Sequence, residues 1–188
     1  MRSARHGLPE GPRPAIFLDR DGVINRAVVR DGIPRPPASF AELEILPGVP
    51  EALNALKGVG YMLVVVTNQP DVARGATLRS VVDDIHARLK GMLTLDSILT
   101  CFHDDADDCD CRKPKPGLLL QAAREWRLDL DSSFMVGDRW RDVEAGQRAG
   151  CRTFYVDHGY EPAPRQADFR VASLHEAAGK VLALGESG

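Results

Sequence analysis

Short apolar runs alternate with amphipathic stretches along this chain, and that alternation limits its fold more than any other feature. The runs cover residues 15–18, 62–66, 97–101, 134–136 and 153–156. Each is brief and nearly all apolar, as a strand buried on both faces must be. Between and after them lie residues 48–57, 78–93, 117–126, 140–149 and 173–184, which read as helices. Val49, Leu53 and Leu56 share one face of the first, and Val81, Val82, Ile85, Leu89 and Leu93 share one face of the second. Gly58 and Gly60 close the first, as glycines do at helix ends. Strands joined by helices of this length imply a parallel sheet covered on both sides. The expected fold is α/β, a doubly wound, mostly parallel sheet forming one domain over residues 15–188. An Arg-, Gly- and Pro-rich stretch over residues 1–14 reads as a disordered tail, and the last helix is expected to pack on the outside.

Each strand ends in polar residues: Asp19 and Asp21, Thr67-Asn68-Gln69, the segment 101–113, Gly137-Asp138, and Asp157-His158. Those ends converge on one edge of an open sheet, where such folds bind ligands. In Asp19-Arg20-Asp21-Gly22 both carboxylates face the crevice if the strand breaks at Asp19. One can attack as a nucleophile while the other moves protons, and both can help hold a hard cation such as Mg2+. The plain alternative is a turn made by Asp and Gly. Thr67 offers a hydroxyl to a phosphate oxygen, although threonine is also common at strand ends. Lys113 lies in Cys111-Arg112-Lys113-Pro114-Lys115-Pro116, whose prolines are expected to keep the segment extended. Arginine suits bidentate recognition of phosphate and lysine suits a compact charge beside it. Asp138 can complete a metal site with Asp19 and Asp21, and Asp142 is a candidate to orient the lysine or to cap the next helix.

The net charge of −3 gives no electrostatic reason to expect a nucleic-acid or anionic-membrane partner. No apolar stretch approaches the roughly 20 residues a membrane span needs. No signal-peptide core stands at the N-terminus, so a cytoplasmic location is expected. Cys151 reads as a small buried residue leading into a strand.

The ordered set Asp19-x-Asp21-Gly22, Thr67, Lys113 and Gly137-Asp138-x-x-x-Asp142 resembles the haloacid dehalogenase superfamily, over about three-quarters of the chain. That resemblance implies a phosphatase working through an aspartyl-phosphate. Asp19 would attack phosphorus, and Asp21 would protonate the leaving alcohol and then deprotonate water. Thr67 and Lys113 would bind the phosphoryl oxygens, and Asp19, Asp138 and the main-chain carbonyl of Asp21 would hold Mg2+. Cys101, His103, Cys109 and Cys111 supply three thiolates and an imidazole, a complete tetrahedral set for a structural Zn2+. That ion would pin an otherwise loose acidic loop and aim Arg112 and Lys113.

Phe17 to Asn25, Val66-Thr67-Asn68-Gln69, Ala73-Arg74-Gly75 and Cys109 to Pro114 are similar to the heptose 1,7-bisphosphate 7-phosphatase family, with histidinol-phosphate phosphatases as relatives. The resemblance implies no large cap domain and a small phosphorylated substrate, with Asn68, Gln69, Arg112 and Arg139 touching substrate; a monomer is expected. The loop around residues 27–30 is implied there as well. Two features depart from the pattern: the five-residue gap between His103 and Cys109 is closer to the histidinol-phosphate enzymes, and Pro70-Asp71 replaces a usual Ser-Gly. Arg35, in a proline-rich loop, is a candidate to read a second phosphate. His6, His86, His158 and His175 carry no partner pattern. Other readings are a polynucleotide 3′-phosphatase, which the acidic balance disfavours, and a zinc-stabilised binding protein without catalysis.

Overall fold

The computed structural model describes residues 11–30, 32–159, 163–164 and 166–185. The chain opens with β1 (Arg13–Leu18), then an antiparallel hairpin of β2 (Val28–Arg30) and β3 (Ile33–Arg35), then α1 (Val49–Gly58). Next come β4 (Met62–Asn68), α2 (Arg79–Met92), β5 (Ser97–Cys101), α3 (Gly117–Trp126) and β6 (Leu128–Gly137). The last elements are α4 (Trp140–Ala149), β7 (Arg152–Val156), β8 (Phe169–Val171) and α5 (Leu174–Gly185). Strand order across the main sheet is β5-β4-β1-β6-β7-β8, with every pair parallel.

The doubly wound sheet follows from strands that are apolar on both faces. Successive side chains of a strand point to opposite sides, and β1 shows it plainly. Ile16 and Leu18 pack with Leu53, Leu56, Ile85 and Leu89 of α1 and α2. Ala15 and Phe17 pack the other way, with Leu118, Leu119 and Ala122 of α3 and Ala145 of α4. The expected outlying last helix is instead part of the first layer, where Leu174, Ala177, Ala178 and Val181 of α5 are buried.

Three differences from the sequence expectation have local causes. Strand β6 begins at Leu128 because Leu128 and Asp129 pair with Arg13 and Pro14 before a register shift. There the Ser133 hydroxyl accepts the Ala15 N–H at 2.9 Å, filling the break in the ladder. Arg13 and Pro14 accordingly belong to β1, while residues 1–10 of the expected tail lie outside the described residues. The hairpin and β8 are three residues per strand, too short to show a period of two. Among the described residues between β1 and α1, that hairpin and a short 3-10 turn intervene, and no large cap domain stands there. Among the described residues, no helix is long and apolar enough to cross a membrane.

Candidate active site

The strand order reverses its direction of growth at β1, which pairs with β4 on one side and β6 on the other. A crevice must open there beyond the C-terminal strand ends. Strand β1 stops at Leu18; Asp19 donates its N–H to Val136 O at 2.9 Å and stands free of the pleat. A cavity of about 270 Å³ sits over this point, lined among others by Asp19, Asp21, Lys113 and Asp138. A larger cavity of about 470 Å³ lies beyond Gly22, but its lining contains no carboxylate or ammonium group. The reactive chemistry therefore sits in the smaller one.

The Lys113 ammonium is the centre of the site. It donates to Asp19 Oδ1 at 2.8 Å and to Val66 O at 2.8 Å, and it lies 2.5 Å from Asp142 Oδ1. Burial works against its charge, but Asp142 and Asp19 outweigh burial and hold its pKa above the ordinary lysine value. Burial pushes the Asp19 carboxyl up to about 6 although Lys113 pulls it down. The backbone of Lys113 is clamped as well: Asn68 accepts its N–H and donates to its carbonyl, both at 3.1 Å. Contrary to the extended segment expected from the prolines, Arg112 to Lys115 forms a turn, closed by Lys115 N–H donating to Arg112 O at 2.9 Å. That turn places the side chain of Lys113 under the strand ends.

Asp138 follows β6 and is buried, and neither of its carboxylate oxygens has a hydrogen-bond partner among the described residues. Burial, with Asp19 and Asp142 nearby, pushes its carboxyl well above the usual range. Gly22 makes room for it: a Cβ there would stand 2.1 Å from Asp138 Oδ2, and φ of +91° disfavours any other residue. Asp142 Oδ2 accepts the Arg139 N–H at 3.0 Å, so this residue both caps α4 and orients the lysine.

Most of the chain matches known proteins. A family model described as haloacid dehalogenase-like hydrolase matches residues 35–150. The chain belongs to the haloacid dehalogenase-like hydrolase family. It is 38% identical over 177 residues to a D-glycero-beta-D-manno-heptose-1,7-bisphosphate 7-phosphatase of Pasteurella multocida, covering 86% of this chain and 93% of that one. It is 41% identical over 143 residues to the protein of that name from Haemophilus influenzae, covering 70% and 74%. A crystal structure of D,D-heptose 1.7-bisphosphate phosphatase from B. bronchiseptica, complexed with magnesium and phosphate, superposes with a TM-score of 0.74 at 33% identity. That match covers 91% of this chain and 99% of the other.

Within this haloacid dehalogenase-like hydrolase, Asp21 is held from three sides. Arg20 reaches both carboxylate oxygens through Nε and Nη2 at 2.9–3.2 Å, and Asn25 Nδ2 and Gln69 Nε2 each donate at 2.9 Å. Gln69 also donates to Thr67 Oγ1 at 2.9 Å, leaving the hydroxyl proton for another acceptor. Thr67 and Gln69 are both buried and lie outside the cavity lining, whereas Asn68, Arg112 and Arg139 line it.

Cys101, His103, Cys109 and Cys111 converge at the end of β5. Their sulfurs are 3.3–3.7 Å apart, and His103 Nδ1 is 3.3 Å from Cys111 Sγ and 3.7 Å from Cys101 Sγ. Tetrahedral ligands about 2.3 Å from one ion stand at roughly such spacings, so the cluster is compatible with zinc. The loop between them is not loose. Asp104 pairs with Arg74, Asp108 with Lys115, and Asp105 with both Arg112 and Arg141. Those two guanidinium groups hold the Asp105 carboxyl well below the usual carboxylate range.

Arg20 and His86 carry weight that their sequence context does not announce. Arg20 is fully buried, and its Nη1 meets His86 Nε2 at 2.9 Å. The one available signal was that His86 shares the buried face of α2 with Val82 and Leu89. Burial, reinforced by Arg20, lowers the His86 pKa to about 4. The unfolded chain then takes up a proton on His86 near pH 6.5, and the folded protein does so only near 4. This contribution to stability is whole above 6.5 and is lost as pH falls toward 4, by about 2–3 kcal/mol. In His86→Gln, whose amide oxygen still accepts from Arg20, stability measured by urea unfolding at a series of pH values should fall by correspondingly less between 6.5 and 4.

Proposed function

We propose that this chain is a phosphomonoesterase that removes the 7-phosphate of D-glycero-D-manno-heptose 1,7-bisphosphate. The observation that carries the chemistry is the buried Lys113 ammonium, set against the first carboxylate after β1 and near Asp138, whose buried oxygens lack hydrogen bonds. Asp19 Oδ attacks phosphorus, the bond from phosphorus to the sugar oxygen breaks, and its electron pair leaves with that oxygen. Asp21 gives the oxygen a proton. Water then attacks the aspartyl-phosphate, returns a proton to Asp21, and frees Asp19 and inorganic phosphate. Lys113, with the Thr67 hydroxyl, balances charge spread over the transferring oxygens.

The carboxylates fit a hard cation: Asp138 has two buried oxygens with no hydrogen bond among the described residues, and Gly22 leaves them room. Asp19, Asp138 and the main-chain carbonyl of Asp21 would hold Mg2+, which supplies positive charge to the phosphoryl group when bound. Four protein ligands close the zinc set, so that ion is structural. When bound it would fix the loop carrying Asp105, and Asp105 holds Arg112 at the cavity wall.

The cavity wall favours a second phosphate over the cationic amine of histidinol phosphate. Arg35, Arg112, Arg139 and Arg141 line it, and Asp104, Asp105 and Asp108 of the zinc loop, which could attract an amine, are engaged by cations. The names of the relatives at 36–41% identity support the same choice.

A charge-assisted contact of roughly 1.5–3 kcal/mol predicts a preference of about ten- to a hundredfold in kcat/KM. Steady-state kinetics on both anomers of the bisphosphate and on histidinol phosphate test it. Equal or better kcat/KM on histidinol phosphate refutes the substrate and leaves the phosphoryl chemistry standing. Asp19→Asn should cut turnover by about three orders of magnitude or more while the circular dichroism spectrum stays native. Near-normal turnover in that variant would remove Asp19 from its role. Purified protein should carry about one zinc per chain by elemental analysis. Cys109→Ser should lower zinc content, melting temperature and kcat/KM together.

A further inference from the structure

We infer that Arg35, carried on the hairpin β2–β3, forms a second anion subsite at the mouth of the active-site cavity, taking the phosphate of a bisphosphorylated sugar that is not hydrolysed. The inference rests on the phosphatase reading above and adds a specificity-determining residue to it.

The hairpin lies between β1 and α1, and its Pro34 and Arg35, with the following Pro36, line the same cavity as Asp19 and Lys113. The other cations on that wall are already engaged. Arg112 and Arg141 share Asp105, Lys113 is held by Asp19 and Asp142, and Arg139 Nε stands 3.7 Å from Asp138 Oδ2. The guanidinium of Arg35 meets no carboxylate or other hydrogen-bonding group among the described residues. Arg30, on the facing strand, is spent on Glu42 at 2.6 Å.

The backbone beneath Arg35 is prepared for a fixed contact. Pro34 precedes it, and Pro36 restricts it to extended conformations. Arg35 pairs with Val28 across the hairpin, and Glu42 binds the hairpin through Arg30 and the following segment through the Ala38 N–H at 2.9 Å. Less ordering is then required when an anion arrives.

Depth separates the two positions. Lys113 and Asp138 are 2% exposed at the floor, whereas Arg35 is exposed at the rim. A planar guanidinium fork matches a phosphate dianion in two parallel hydrogen bonds. A ligand with phosphates at its two ends satisfies floor and rim together; a monophosphate satisfies only the floor.

The test compares wild type and Arg35→Gln on heptose 1,7-bisphosphate and on the corresponding 7-monophosphate, with p-nitrophenyl phosphate as a reporter of the chemistry. The ratio of kcat/KM for bisphosphate over monophosphate should fall about tenfold in R35Q, mainly through KM, with Arg35→Lys between the two. An unchanged ratio, whether or not both rates drop, overturns the subsite and leaves the phosphatase reading intact. Wild-type protein that cleaves p-nitrophenyl phosphate but neither heptose phosphate overturns the substrate reading and the subsite with it, a failure visible before any variant is made.

Discussion

A buried ammonium ion between two carboxylates organises this molecule. Lys113 reaches from the loop after β5 to Asp19 after β1, to Asp142 on α4 and to the carbonyl of Val66 in β4. Taking such a charge out of water costs several kcal/mol unless the geometry of its partners is good. Here all three ammonium protons have acceptors, and each acceptor belongs to a different element. Withdrawing any one leaves a buried ammonium proton without an acceptor, so these contacts lock the crevice.

Asp19, Asp21, Asp138 and Asp142 crowd one strand edge, and two buried cations divide the task of balancing them. Lys113 serves Asp19 and Asp142, while Arg20 serves Asp21. Asp138 is left with Arg139 at 3.7 Å and with two buried, unpartnered oxygens. Negative charge is thereby concentrated where a cation and a transferring phosphoryl group would meet, and guanidinium groups collect at the rim. The gradient from acidic floor to basic wall suits the proposed phosphatase reading. The Cys/His cluster extends the design outward: its loop supplies Asp105, and Asp105 sets both Arg112 and Arg141.

Much of this was legible in the chain as a string of residues. Periodicity is a local property, so the alternating apolar runs marked the five long strands and five helices, although β6 extends back to Leu128, well before its apolar run. A carboxylate just past a strand end is likewise local information, which is why Asp19, Asp138 and the clustered cysteines could be picked out. Three-residue strands carry too little pattern, and the hairpin and β8 went unmarked for that reason. The turn at Arg112 to Lys115 ran against the expectation from its prolines, because the clamp from Asn68 lies 45 residues away in sequence.

The sequence by itself thus determined the order of elements, the edge at which chemistry gathers and the residue types available there. Only the tertiary structure decided which of those residues face a ligand and which hold the others in place. Asn68 grips the backbone of Lys113, Gln69 joins Thr67 to Asp21, and Arg20 folds inward onto His86, 66 residues distant. Such assignments depend on pairings between elements far apart in the chain. Burial then makes each pairing obligatory, since a polar group without water must find its partner across the fold.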